Sequence, residues 1–343
     1  MSQRLAALIA LAGFLLLLGG AWLTGGNLGL DDAGPSRVSF QIATGSTEGL
    51  YFPIGQAMAG LISHPPGVAR CETATVCGPA GVILSARTSE GSVDNLRSVN
   101  AGTVDSGLAE GDVIAAAVAG QGAFRRSARA RHLRVIASLF SEQVHLVAAA
   151  KSRIQGVGDL RGKRVMLDGA DNTGASVRAR AILAAYRVRN ARIVPQSEGS
   201  PAQLLLGGKI DAYFAVAGVP LDSAKDLMAR GLARLVPIDG EGRDRLVRSV
   251  PQLRPAQIPA GAYPGAGAVE TVSVRAYWVT RDSEPDPLIY GMTRALFNPA
   301  NHMLLTASHP SAREISLDSA ALDPPAPLHS GAARFYREMG KLP

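Results

Sequence analysis

The 343-residue chain is poor in the residues that most often do chemistry: two cysteines and six scattered histidines. It has no GxSxG elbow, no HExxH, no GxxxxGK[ST] and no GxGxxG after a strand. These absences leave serine-hydrolase, zinc-peptidase, P-loop and dinucleotide chemistry without a motif, and no catalytic residue, cofactor or metal is expected. His145, inside an apolar run, is expected to be a hydrogen-bonded core residue. Glu142 could act as a general base, but no nucleophile is paired with it in the sequence. An enzyme acting on a small anion is therefore the rival class, not the expectation.

Aromatic residues are also scarce, at 5%. The net charge is +7 and the pI about 9.7. One dense basic group (Arg125, Arg126, Arg129, Arg131, Arg134) has few aromatics around it for base stacking. A nucleic-acid partner is not expected; a solvated basic face, or weak attraction of an anionic solute or acidic membrane, is. The two cysteines, in CETATVC, fit neither a CxxC redox pair nor a zinc site. In an exported protein the simplest reading is a Cys71–Cys77 disulfide.

What is present is a globular composition, 47% hydrophobic and 18% charged, long enough for two domains of ordinary size. Arg4 precedes an almost wholly apolar stretch at residues 5–23. Residues 1–26 thus fit a secretory signal peptide, which would place the protein in the periplasm. Their length equally fits an uncleaved anchor tethering it to the inner membrane.

Residues 40–55, FQIATGSTEGLYFPIG, organise the remainder. An apolar run (Val38, Phe40, Ile42) leads into the turn-prone Thr44, Gly45, Ser46 and Thr47, then Gly49. From Pro53 onward Ile54, Met58, Leu61 and Ile62 recur at helical spacing. Strand, glycine loop and helix in that order suit an anion, because free N–H groups and the positive end of a helix dipole face the loop. The alternative is an ordinary tight turn.

The chain then alternates strand and helix, which predicts parallel sheets in two α/β units. Strands are expected at 82–86, 105–109, 133–139, 144–149 and 164–167. Ser92 can cap a short helix. A proline- and glycine-rich loop spans 251–267, and a long alternating strand covers 271–280. In such sheets the ligand crevice lies beyond the carboxyl ends of the strands, where both the Thr44–Gly49 loop and the GADNTGAS loop fall.

These segments together resemble the TAXI solute-binding proteins, the extracytoplasmic receptors of one class of tripartite (TRAP) transporters. The resemblance is carried by TGSTEGLYFPIG, EGSVDNLRSVNAGTVDSGLAEGDV, SLFSEQVHLV, NTGASVRARAIL, GGKIDAYFAVAGVP, IPAGAYPG with TVSVRAYWV, and PLHSGAARFYREMG. DLRGKRVML adds less, being common among periplasmic binding proteins. The resemblance implies a bilobed type II periplasmic-binding fold: lobe 1 from 38–140 plus 279–343, lobe 2 from 141–278, hinge strands, and a ligand cleft between the lobes. It implies a monomer that binds a small carboxylate or amino acid, performs no chemistry on it, and delivers it to a TRAP membrane permease. A sensory module reporting to a membrane kinase would use the same fold.

Expected ligand-binding residues are Thr44, Gly45, Ser46, Thr47, Tyr51 and the Gly49 backbone in the first loop. Ser92, Asn95, Glu110 and Asp112 follow in the first unit; Thr173, Gly174, Ser176 and Tyr213 come from the second. Of Tyr213 and Phe214, which alternate along a strand, at most one can face the cleft. Two positions depart from the family pattern: Glu110 stands where a glutamine is usual, and Asn172-Thr173-Gly174 replaces serine-glycine-threonine. A carboxylate at the end of a strand is expected to meet a cation, whether a solute ammonium, a metal or a nearby Arg or Lys. If it meets an ammonium, an amino-acid solute is favoured over a plain dicarboxylate. The alternative is a solvated loop glutamate.

Overall fold

The computed structural model describes residues 37–47, 49–72, 76–127, 129–167, 174–195 and 199–343. The apolar leader, including residues 1–26, and Thr173 lie outside them. Among these residues ten strands form one mixed sheet in the order β2-β1-β3-β10-β4-β7-β5-β6, with β8 (Ala233–Leu235) paired to β4 and β9 to β10.

At one end, β1 (Val38–Ala43) runs parallel to β2 (Val82–Arg87) and β3 (Ser106–Glu110). At the other, β5 (Arg164–Leu167) runs parallel to β6 (Arg192–Val194) and β7 (Ala212–Ala217). Two long strands join these parallel sets: β4 (Leu133–Ala149) and β10 (Val269–Arg281), antiparallel to each other and to their outer neighbours. Sequence reading breaks β4 into two runs at Ser141-Glu142. The structure keeps it whole, because Ser141, Glu142 and Gln143 pair with Arg275, Val274 and Ser273. The stretch expected to be loop at 251–267 likewise contains a strand, β9 (Arg254–Ile258), which β10 recruits as a partner.

The two long strands belong to two cores. Along β4, Leu139 and Phe140 pack into a cluster with Phe40, Ile54, Trp278 and Tyr336. Val144 and Leu146 of the same strand pack with Val165, Ile182 and Phe214. The changeover falls at residues 141–143. The chain therefore builds two lobes from one sheet. The first is carried by β1–β3 and the carboxyl-terminal helices, the second by β5–β8.

Helix α1 (Tyr51–Ile62) buries Ile54, Met58, Leu61 and Ile62 against the first lobe, as its apolar spacing predicts. Helix α2 (Ser92–Ala101) follows β2, and α3 (Gly111–Ala119) follows β3 directly. In the second lobe α4 (Gly174–Ala185), α5 (Pro201–Leu206) and α6 (Asp222–Ala229) start at the carboxyl side of the sheet loops. The last helix, α7 (Ser330–Glu338), is capped by His329, whose Nδ1 accepts the Gly331 N–H at 3.1 Å. Cys71 and Cys77 are joined by a disulfide.

Candidate functional site: a cavity and a dry polar seam

A cavity of about 810 Å³ lies between the lobes. The first lobe contributes Ser46, Thr47, Gly49, Leu50 and Pro53 of the glycine loop, and His309 from the carboxyl-terminal segment. The second lobe contributes residues 199–202, Tyr213, 215–218 and 220–223. Three helices thus begin at its wall: α1 after Leu50, α5 after Ser200 and α6 after Leu221. Each brings the positive end of its dipole toward the cavity. No side chain caps α1, whereas the Ser200 hydroxyl accepts the Gln203 N–H.

The start of α6 is fixed by a relay of hydrogen bonds. Leu221 N–H donates to Tyr263 Oη (2.7 Å), and Tyr263 Oη lies 2.7 Å from His145 Nε2. His145 Nδ1 lies 3.0 Å from the Gln143 carbonyl, which must accept, so Nδ1 carries the hydrogen and Nε2 accepts from Tyr263. Burial pushes the imidazole down to about 4, so His145 is a neutral structural residue. His309 is held as the opposite tautomer: its Nδ1 accepts the Ser311 N–H at 3.0 Å, leaving Nε2–H as a donor beside the cavity. Burial lowers its pKa, and Asp222 opposes the shift.

A second polar group lies behind the cavity wall, out of water. Glu110 ends β3, Asp112 opens α3, Arg178 sits one turn into α4, and Glu142 marks the changeover in β4. Arg178 donates from Nε (3.0 Å) and Nη2 (2.6 Å) to the two oxygens of Asp112, and its Nη2 is 3.9 Å from Glu110 Oε1. Ser92 hydrogen-bonds to Glu110, and Tyr51 Oη donates to Glu142 at 2.8 Å. The Arg178 side chain is fully buried; Glu110 is 9% and Glu142 4% exposed. Burial, opposed by the Arg178 charge, raises the Glu110 pKa. Burial and the neighbouring Glu110 push Glu142 up to about 8. Burial works against the Arg178 charge, but Asp112 and Glu110 outweigh it and hold the guanidinium protonated.

The lobes meet closely at two glycines. A Cβ on Gly174 would stand 2.6 Å from Val113 Cγ2 and 3.1 Å from Glu110 Oε2. A Cβ on Gly218 would collide with Ser311 Oγ and stand 3.1 Å from His309 Cε1. One contact borders the seam and the other the cavity. At Gly174 the obstacle is the branched Val113 side chain, and at Gly218 it is the Ser311 hydroxyl.

The expected residues divide between these places. Ser46, Thr47, Gly49 and Tyr213 line the cavity, and Phe214, next to Tyr213, packs into the second-lobe core. The Gly49 N–H is engaged by the Ser46 carbonyl (3.0 Å), so the loop hydroxyls, not this amide, face the space. Tyr51, Ser92, Glu110, Asp112 and Gly174 come together in the seam. Ser92 is the first helical residue and bonds to Glu110 instead of capping; Gly91 holds the cap position. Thr44 and Asn95 tie strands together. The Thr44 hydroxyl donates to Arg87 O, and Asn95 Nδ2 donates to Thr44 O and Leu108 O, each at 2.7 Å. Gly45 and Ser176 are buried in the loop and in α4.

Glu110 meets a cation from the protein itself, Arg178, and is not a solvated loop residue. Arg178 was not among the expected site residues. Its signal was present: Gly174, Arg178 and Ile182 recur every four residues on one helix face, so the arginine had to share the buried side with Ile182. Asp222 and His309 had no local signal. They reach the cavity only through the packing of distant segments.

A sheet built as two parallel sets joined by long antiparallel strands, with a cavity between two lobes, defines a two-lobe periplasmic-binding-protein fold. The same fold is found in MatC from Rhodopseudomonas palustris with bound malate, at TM-score 0.51 and 15% identity over 89% of this chain and 98% of that one. The periplasmic binding protein BugD gives TM-score 0.50 at 10% identity, over 89% and 95%. The NMT1-like family matches residues 42–340, and the chain belongs to that family.

Proposed function

We propose that this protein is an extracytoplasmic solute receptor that holds a small carboxylate or amino acid between its lobes without transforming it. The observation that carries this reading is the 810 Å³ cavity, walled by hydroxyls and three helix starts from both lobes. MatC holds malate on the same fold. The sequence resemblance supports the finer assignment: a TAXI-type receptor in the periplasm, working as a monomer with a TRAP permease. His145 has both ring nitrogens occupied by protein partners.

A thermal-shift screen of dicarboxylates and amino acids, followed by calorimetry, tests the proposal. A ligand at 100 times its dissociation constant should add about 2.7 kcal/mol of stability. No shift with any small carboxylate or amino acid would overturn it, as would turnover of one that binds.

A further inference from the structure

Among the described residues, the seam between the lobes holds three carboxylates, Glu110, Asp112 and Glu142, against one guanidinium, Arg178. We propose that closure of the two lobes takes up protons at the Glu110–Glu142 pair, so that capture of the solute is proton-linked. The inference rests on the reading of the protein as a two-lobe receptor that closes, but on no particular solute.

The stoichiometry is the core of the argument. Arg178 is committed to both oxygens of Asp112 and stands 3.9 Å from only one oxygen of Glu110. Among the described residues, Glu142 receives only the Tyr51 hydroxyl. Among the described residues, the groups that act on Glu142 are Tyr51 on α1, Glu110 on β3, Asp112 on α3 and Arg178 on α4, with apolar Val274 opposite on β10. If all four charged groups were ionised, the dry seam would carry two uncompensated negative charges. Burying a carboxylate without a counter-charge is unfavourable enough that it protonates instead.

The same groups behave differently when the lobes part. Gly174 and Arg178 belong to the second lobe, and Gly174 sits against Glu110 and Val113 of the first. Opening withdraws this cover and admits water to Glu110 and Glu142, which then return toward ordinary carboxylate values. The proton affinities of the closed form agree, since burial raises both carboxyls. Closed and open forms therefore bind different numbers of protons, and raising the pH must favour the open form.

Small-angle scattering on the solute-free protein from pH 6 to pH 9.5 tests this, with far-UV circular dichroism recorded on the same samples. The expected result is a compact profile at pH 6 and an expanded one above about pH 8, with the dichroism unchanged. The Glu110→Gln/Glu142→Gln double variant should stay compact throughout. If that variant does not fold, Glu142→Gln alone should move the expansion to higher pH. An unchanged wild-type profile, expansion accompanied by loss of dichroism, or expansion that persists unshifted in the variants would overturn the proposal. Because no solute is added, its failure is separate from a failed solute screen.

Discussion

The cavity and the seam lie side by side between the same two lobes and are built on opposite principles. In the cavity, polar groups such as the Ser46 and Thr47 side chains are exposed, and Asp222 and His309 come one from each lobe. In the seam, most polar groups are bonded to one another and buried, although Arg178 Nη1 has no partner among the described residues. The first arrangement leaves hydrogen-bonding capacity for something that is not protein. The second uses that capacity internally, so its consequences should appear in stability and closure more than in solute recognition.

The contrast is broken most directly at Arg178. Replacing it with alanine leaves Asp112 and Glu110 buried without their cation, and urea denaturation should show a loss of about 3–5 kcal/mol. A loss below about 1 kcal/mol would mean that water already reaches the seam.

A smaller effect comes from the proton on Glu142. Its folded value of about 8 lies above the ordinary 4.5, so the folded chain binds this proton more tightly than the unfolded one. The associated stability is complete below about pH 4.5 and is lost as the pH rises through about 8. The slope is at most about 1.4 kcal/mol per pH unit. Chemical denaturation across this range should show the decline in the wild type and a shallower one in Glu142→Gln; parallel curves would refute the assignment. The sign is opposite for His145. Its depressed value means that stability present above about pH 6.5 is lost as the pH falls toward 4.

Gly218→Ala puts a methyl group against Ser311 and His309 where the lobes meet at the cavity edge. About 1–3 kcal/mol of overpacking is expected, read by denaturation. Scattering should also show a less compact protein. If Ser311 rotates aside at no cost, neither readout will move.

The mildest change sharpens the comparison from the cavity side. Thr47→Ala should leave the melting temperature unchanged and weaken the tightest solute from the screen by about 0.5–1.5 kcal/mol, the worth of one hydrogen bond. Unaltered affinity would remove the glycine loop from the recognition surface.

Much of this was legible in the chain. The apolar periods of β1 and α1, the glycine loop between them and the alternation of strand and helix are local properties, and local propensity and spacing specify them. Thr47 and Ser46 could be placed at a strand's carboxyl end because strand and helix are adjacent in sequence. Glu110 could be singled out because a carboxylate there needs a cation. What supplied the cation was Arg178, 68 residues away, and no local rule joins the two. The same holds for Tyr51 with Glu142, and for His309 beside Asp222 and Gly218. The continuity of β4 through Ser141 and Glu142 was decided by its pairing with β10, a partner more than 120 residues on. The sequence by itself determined the elements and the chemistry each could offer. Only the tertiary structure decided which of those groups face the cavity and which close on each other, because burial and counter-charge belong to neighbours in space.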